Sequence, residues 1–378
     1  MKSRRLNVSE DPRTILGKHS RVPTSNSTNA LENSEVPVPI DVMMDIFSRL
    51  SAKSIAICSC VSKLWFSILR LPYFTELFLT KSSARPKLLF ACVRHRELVV
   101  FSTPQPQHPY ERSSPLAATF HMKIPCRNNF CDIISPIHGL VFVRDVQKFK
   151  LVSVICNPTT RQTLTLPKPK TKTRLYINSY FGYDPMEKQF KVLSMTLRDG
   201  ISVEHQVLKL LGTKKLSWSM IECCIPHFPN SEGSETFSFI KVMEPFIKAV
   251  ASGTTLINYN GKLASFSSEG RSYICGRLRS FEMWILKDSD KHEWSKFVYE
   301  LPPLWQYISK WEVLRFIGVI STTNEIVFSP DRPHDPFYVL CYSLERKTIR
   351  VVEIQGMGTT ELNGVIMFLD HVEDVRLT

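Results

Sequence analysis

Long apolar stretches are missing from these 378 residues. No uncharged run approaches the ~18 residues that a bilayer-spanning helix needs, so no membrane span is expected. The opening MKSRRLNVSEDPR is basic but has no apolar segment behind the charges, which argues against a secretory signal. Glu10 and Asp11 argue against a transit peptide, and Lys2, Arg4 and Arg5 make only a short basic cluster. Zinc-type spacing is missing too. Ten cysteines contain no C-x-x-C and no paired Cys/His cluster. Most sit inside apolar runs and read as reduced thiols used as small hydrophobes, which fits the cytoplasm, the nucleus or both.

Catalytic signatures are equally scarce. The chain has no G-x-S-x-G, no H-E-x-x-H and no G-x-x-x-x-G-K-[ST]. GMGTTE (356–361) lacks the third glycine of a dinucleotide loop. His138 follows a proline turn and precedes a strand-like run, so it reads as a turn histidine. The carboxylates of DPMEK and KDSDKHE lie between strand-like runs, where Asp caps backbone amides. Cys223-Cys224 has no neighbouring base to activate it. Neither catalysis nor a cofactor is expected.

What is present divides into three textures. Residues 1–35 are rich in Ser, Asn, Thr and charge and read as a disordered leader. Residues 36–80 contain no glycine and carry helical periodicity. Pro39 suits a first helical turn, followed by Met43, Ile46, Phe47 and Leu50 at i, i+3, i+4 and i+7. Ser54 is expected to cap a second helix through Ile55, Cys58 and Val61. In CVSKLWFSIL (60–69), Val61, Leu64, Trp65, Ile68 and Leu69 share one stripe, and Leu71-Pro72 should end that third helix. Three short helices in some 45 residues cannot bury all these side chains alone. The surplus needs a partner, either the rest of the chain or another protein.

From residue 85 to about 370 the pattern is strand, polar turn, strand. ELVVFS, GLVFVRD and LVSVICNPTTRQTLTLP are examples, with NPTTRQ, DPMEK, NG, TTNE and LERKT as turns. So many hairpins fit a ring of small sheets that closes on itself. At ~40 to 50 residues per blade the segment would supply six or seven blades. The expected fold class is therefore α+β: a small three-helix unit, then a large all-β, propeller-like (kelch-type) domain. Few contacts are expected to cross the boundary at residues 80–86.

The net charge of +13 favours acidic partners. Its densest patch is LPKPKTKTRLY, with Lys168, Lys170, Lys172 and Arg174. Between prolines and a strand it reads chiefly as a solvated loop. An alternative function follows, in which a basic propeller-like protein binds nucleic acid or acidic proteins without any ligase assembly. The spread of the charge makes nucleic acid the weaker reading.

The helical segment resembles the F-box, a motif that docks a Skp-type adaptor and through it a cullin-RING ubiquitin ligase. The resemblance rests on Pro39, Asp41, Ile46, Phe47, Arg49, Leu50, Lys53, Ser54, Val61, Ser62, Lys63 and Trp65, with LPYF (71–74) as the tail of the motif. Ser51 and AICSC (56–60) depart from it, where proline and an Arg-aromatic-Arg-Cys run are usual. The resemblance implies adaptor binding through Pro39, Ile46, Phe47, Leu50, Ile55, Val61, Ser62 and Trp65. Most of residues 85–360 resembles the F-box-associated interaction domain of land-plant F-box families. The matching stretches are NPTTRQTLTLP, FGYDPMEKQFKVL, LINYNGKLASF, KHEWSKFVYELPP, GVISTTNEIVFSP and PFYVLCYSLERKTIRVVEIQG. This implies capture of a target protein that the sequence does not identify, by a non-catalytic receptor subunit.

Overall fold

Two serines and a proline set the helix boundaries. The computed structural model describes residues 38–376 apart from 108–113, 127–131, 148–149, 172–175, 199–200, 211–215, 223–254, 270–272, 276, 289–290, 309–311, 359–361 and 363. The leader, Cys223-Cys224, Lys172 and Arg174 therefore lie outside the described residues. Helix α1 spans Ile40–Ser48, α2 Ala52–Cys58, α3 Lys63–Leu69 and α4 Pro72–Ser83. Ser51 caps α2 by accepting from the Ser54 amide at 3.2 Å, and Ser62 caps α3 by accepting from the Trp65 amide at 3.1 Å. The cap of α2 thus falls three residues earlier than expected, and Ser54 lies inside the helix. Pro72 ends α3 but also opens α4 at its first turn, where a missing N–H costs nothing. The helical unit has four helices, not three. The fourth supplies Phe74 and Phe78, both fully buried, to a core with Phe47, Ala52, Ile55, Ile68 and Leu69.

The remainder is β-rich, with one short helical turn at Trp305–Ile308 among the described residues. The first sheet runs β22 (Val365–His371), β1 (Lys87–Arg94), β2 (Glu97–Pro104) and β4 (Thr119–Pro125) in hydrogen-bonded order. The second runs β5 (Asp132–Ile137) to β8 (Gln162–Thr165), and the third β9 (Tyr176–Asp184) to β12 (Trp218–Ile221). The fourth contains β13 (Thr255–Tyr259), β14 (Lys262–Ser267), β16 (Ser280–Asp288) and β17 (Glu293–Glu300). The fifth centres on β18 (Val313–Val319) to β21 (Thr348–Gln355), flanked by β15 (Tyr273–Cys275) and β3 (Leu116–Ala117). The described residues thus hold five sheets, fewer than the blade spacing suggested. Blades after the first begin at 132, 176, 255 and 313, so the repeat is often longer than 50 residues.

Inner strands β22, β5 and β9 lie side by side, as do β13, β18 and β22. The ring closes because β22, from the far end of the domain, pairs with β1 in register Phe90↔Met367. Strand β1 is buried on both faces, as period-two alternation between two neighbouring blades requires. Leu88, Phe90 and Cys92 face one core, where Phe90 meets Phe337 edge-on at 6.1 Å, and Leu89, Ala91 and Val93 face another. The five turns read from the sequence all join paired strands. In the NG turn, Asn260 and Gly261 both have positive φ, and Asn258 accepts from the Gly261 amide at 2.8 Å.

A few specific contacts cross the junction at 80–86. Residues 40–378 cluster as one compact unit. The Arg85 guanidinium donates to the carbonyls of Arg49 (2.9 Å) and Ser48 (3.3 Å), satisfying the open end of α1. The Glu373 amide reaches Ser82 Oγ at 2.9 Å, and Lys87 pairs with Glu373 at 2.6 Å.

His371 ends β22 fully enclosed, and its Nδ1 has no hydrogen-bond partner among the described residues. Burial, aided by the charges of His121 and Lys87, lowers its pKa from 6.5 to about 3. Between those values the unfolded chain binds a proton that the folded chain refuses, so stability is complete above pH 6.5 and falls with pH. This histidine alone should remove about 2 kcal/mol by pH 5. Urea unfolding at pH 7, 6 and 5 should show a loss that His371→Gln largely flattens. Equal slopes for the two proteins would refute the assignment.

Candidate protein-docking surface

A four-helix unit this small turns only part of each helix inward, and here the outward faces are apolar. In α2 the backbone rotates Ile55 into the core and carries Ile57, two residues on, to the opposite side, 62% exposed. In α1 Phe47 points inward while Ile46, its neighbour, is half exposed. Val61 lies before the cap of α3, in the α2–α3 connection, and is 61% exposed. The stripe read in CVSKLWFSIL is therefore split. Ile68 and Leu69 are core, Trp65 is intermediate, and Val61 and Leu64 face outward. The helical register begins only at Lys63, so it does not govern Val61.

The eight residues singled out from the sequence fall into three groups. Ile46 and Val61 are exposed apolar side chains, and Pro39 and Ser62 are exposed as well. Phe47 and Ile55 are buried in the helical core. Leu50 and Trp65 are partly buried against that core. The Trp65 indole stands edge-on to Phe47 with ring centroids 5.0 Å apart, so it joins the core to the surface. Leu64, read from the sequence only as a member of the stripe, is exposed, and so are Ile57, Phe66 and Tyr73, which are not among the eight. Ile57 carried a signal, since it occupies the AICSC departure where the F-box pattern is commonly polar. Phe66 lies under the Arg70 guanidinium at 5.0 Å, which shields part of its ring. The exposed apolar residues recur on α1, α2 and α3, with ion pairing confined to places such as Arg49–Asp45 at 2.8 Å. Such a concentration on one small module makes this face the candidate docking surface.

Several polar groups of the β domain, among the described residues, serve structural roles. Asp184, in DPMEK, accepts from the amides of Met186 (2.8 Å) and Glu187 (3.1 Å) and from Lys191 Nζ (2.6 Å). These bonds, the one from Lys191 foremost, hold its pKa down to about 2. Burial pushes the thiols of Cys92, Cys156 and Cys341 up to about 12, so they stay protonated. His138 sits, as read from the sequence, in a turn, the one between β5 and β6 (Leu140–Gln147), where its φ is positive. Among the described residues no group of three His, Cys, Asp or Glu side chains is arranged to hold a metal ion, and no described helix is long and apolar enough to cross a membrane. In the basic loop, the Lys170 backbone is pinned by the Gln206 amide at 3.0 and 2.7 Å, while the Lys168 and Lys170 residues are exposed.

Comparison with known proteins agrees with this architecture. Residues 38–77 match the F-box domain, and residues 87–234 and 233–372 match the F-box associated beta propeller domain. F-box protein DOR of Arabidopsis thaliana is 55% identical over the full length of both chains. F-box protein At5g65850 of the same plant is 45% identical over all of this chain and 99% of its own. Putative F-box protein At3g23960, also from Arabidopsis thaliana, is 41% identical over both full lengths. From its helical module, its ring of sheets and these end-to-end matches, the chain belongs to the plant F-box proteins that carry an F-box associated β-propeller domain.

Proposed function

We propose that this protein is the target-recognition subunit of a Skp-cullin-F-box ubiquitin ligase. The observation that carries the proposal is the set of exposed apolar side chains on the helical module, Ile46, Ile57 and Val61 among them, beside a closed helical core. A Skp-type adaptor binds there and links the chain to cullin and a RING protein. The β-propeller takes an unidentified target protein. The chain performs no bond chemistry of its own. It holds a target lysine near a ubiquitin-carrying enzyme and so raises the effective concentration of the reacting groups. Within this reading, Ile46 and Val61 make direct contact, Trp65 anchors the surface to Phe47, and Phe47 and Ile55 keep the helices in register.

A second reading keeps the propeller but replaces the ligase with an anionic partner. It rests on the exposed Lys168 and Lys170 and on the net charge of +13. It forecasts nucleic-acid binding that weakens steeply with salt and is lost in a Lys168→Glu, Lys170→Glu protein.

Two results separate direct contact from support. Val61→Asp alters an exposed position, so the melting temperature should stay within a few degrees while affinity for a recombinant Skp-type adaptor falls at least ~30-fold, as at an interface hot spot. Trp65→Ala should lose adaptor binding and also destabilise the helical unit by ~2 to 4 kcal/mol. Calorimetric titration beside thermal melting reads both. Unchanged affinity for both variants would sink the docking surface.

The absence of intrinsic chemistry has its own test. Purified chain mixed with ubiquitin, activating enzyme, conjugating enzyme and ATP should form no conjugates until adaptor, cullin and RING protein are added. Conjugation by the chain without them would refute the receptor role.

A further inference from the structure

Beyond β22 the chain does not simply end. Residues Val372–Arg376 run across the junction and alternate their contacts, as an extended segment does. On the helical side, the Glu373 amide donates to the buried Ser82 Oγ of α4 at 2.9 Å, while the Glu373 carboxylate pairs with Lys87 of β1 at 2.6 Å. Val375 packs against the helical core and is the one apolar residue from beyond the helical module to do so among those described.

The intervening residues grip the propeller. Asp374 is completely buried and accepts from the Arg376 amide at 2.8 Å and from Arg376 Nε at 2.6 Å. Its Cβ lies 2.6 Å from where a side chain at Gly139 would begin, and the Val372 carbonyl lies 2.7 Å away, so only glycine fits the β5–β6 turn beneath it. Arg376 crosses to the third sheet, with its guanidinium 5.0 Å from the centre of the Phe190 ring. Asn157 clamps the segment. Its Nδ2 donates to the carbonyls of Asp374 (3.0 Å) and Arg376 (3.1 Å), while its Oδ1 accepts from Thr159 at 2.9 Å. One buried side chain thus closes its own turn and holds the tail.

The helices otherwise pack chiefly on one another. We propose that Val372–Arg376 is a strap that sets the orientation of the helical module on the propeller, with Val375 and Arg376 as its positioning residues. The strap stands on this geometry. Its consequence, that the adaptor and the captured target are held at a set angle and distance during ubiquitin transfer, rests on the function proposed above.

The test uses the full chain, with donor and acceptor dyes on non-natural amino acids at Glu76 and Met186, both exposed. Single-molecule energy transfer in the unaltered protein should give one narrow peak. Val375→Asn removes the apolar contact on the helical side, and Arg376→Met removes the ion pair and the charge over Phe190. Either should widen or split the peak while the β-type circular dichroism is retained, and Val375→Ile should restore the narrow peak. A narrow peak in both Val375→Asn and Arg376→Met would overturn the proposal. Loss of the β signal in Val375→Asn would also overturn it, by making the tail merely part of the propeller fold. Adaptor titration on the same samples keeps the two ideas apart. A widened peak in a protein whose unaltered form captures no adaptor would refute the ligase role and leave the strap intact.

Discussion

The pairing of β22 with β1 is the constraint on which the rest depends. It joins residues some 280 positions apart, Cys92 with Val365 and Phe90 with Met367, and no local preference of either strand favours it. Such a contact costs loop-closure entropy before it gains anything. The return is that β1 becomes an interior strand, with Phe90 and Leu89 fully buried on its two faces. Without it the first sheet would have an open inner edge. A second, shorter tie is β3, two residues that pair in parallel with β21 through Leu116 and Ile354 and so link the first sheet to the fifth from outside.

The same closure brings the last residues of the chain to the first helices. Once β22 is the innermost strand beside β1, the segment after His371 must emerge where α4 enters the sheet. Ser82, Lys87 and Glu373 meet there for that reason. The helical unit, too small to hide all its apolar surface, gains Val375 from this arrangement and keeps its outward faces free. A surface with Ile46, Ile57 and Val61 exposed is tolerable on a small module when a larger domain helps to secure its core.

Much of the local structure was legible in the sequence because it depends on near neighbours. Asn260-Gly261 as a two-residue turn and Asp184 as an amide acceptor each act over two to four residues. The errors were local too. Its place just before the periodic residues makes Ser54 look like the cap, but Ser51 holds the extended conformation that capping requires. Pro72 was read only as a stop, although the same fixed φ that ends α3 suits the first turn of α4. The docking residues were half legible. Periodicity identifies which side chains share a face but not whether that face points inward, so Phe47 and Ile46 look equivalent until the core is placed.

By itself the sequence determined the order of modules, helical then β-rich, through the change from a 3.6-residue to a two-residue apolar period near residue 85. It determined most of the hairpins through their turn residues, and the family through an ordered string of motif positions. Only the tertiary structure decided which apolar residues of the helical unit are core and which are surface, how many sheets the described residues form, and where the two ends of the domain meet. It alone gave Asn157, Gly139 and Asp374 a common role, since these residues lie more than 200 positions apart in part and touch only after the ring has closed. The physical reason is range: caps and turns are set by hydrogen bonds within one or two turns of chain, whereas burial and ring closure are set by contacts whose partners no local pattern names.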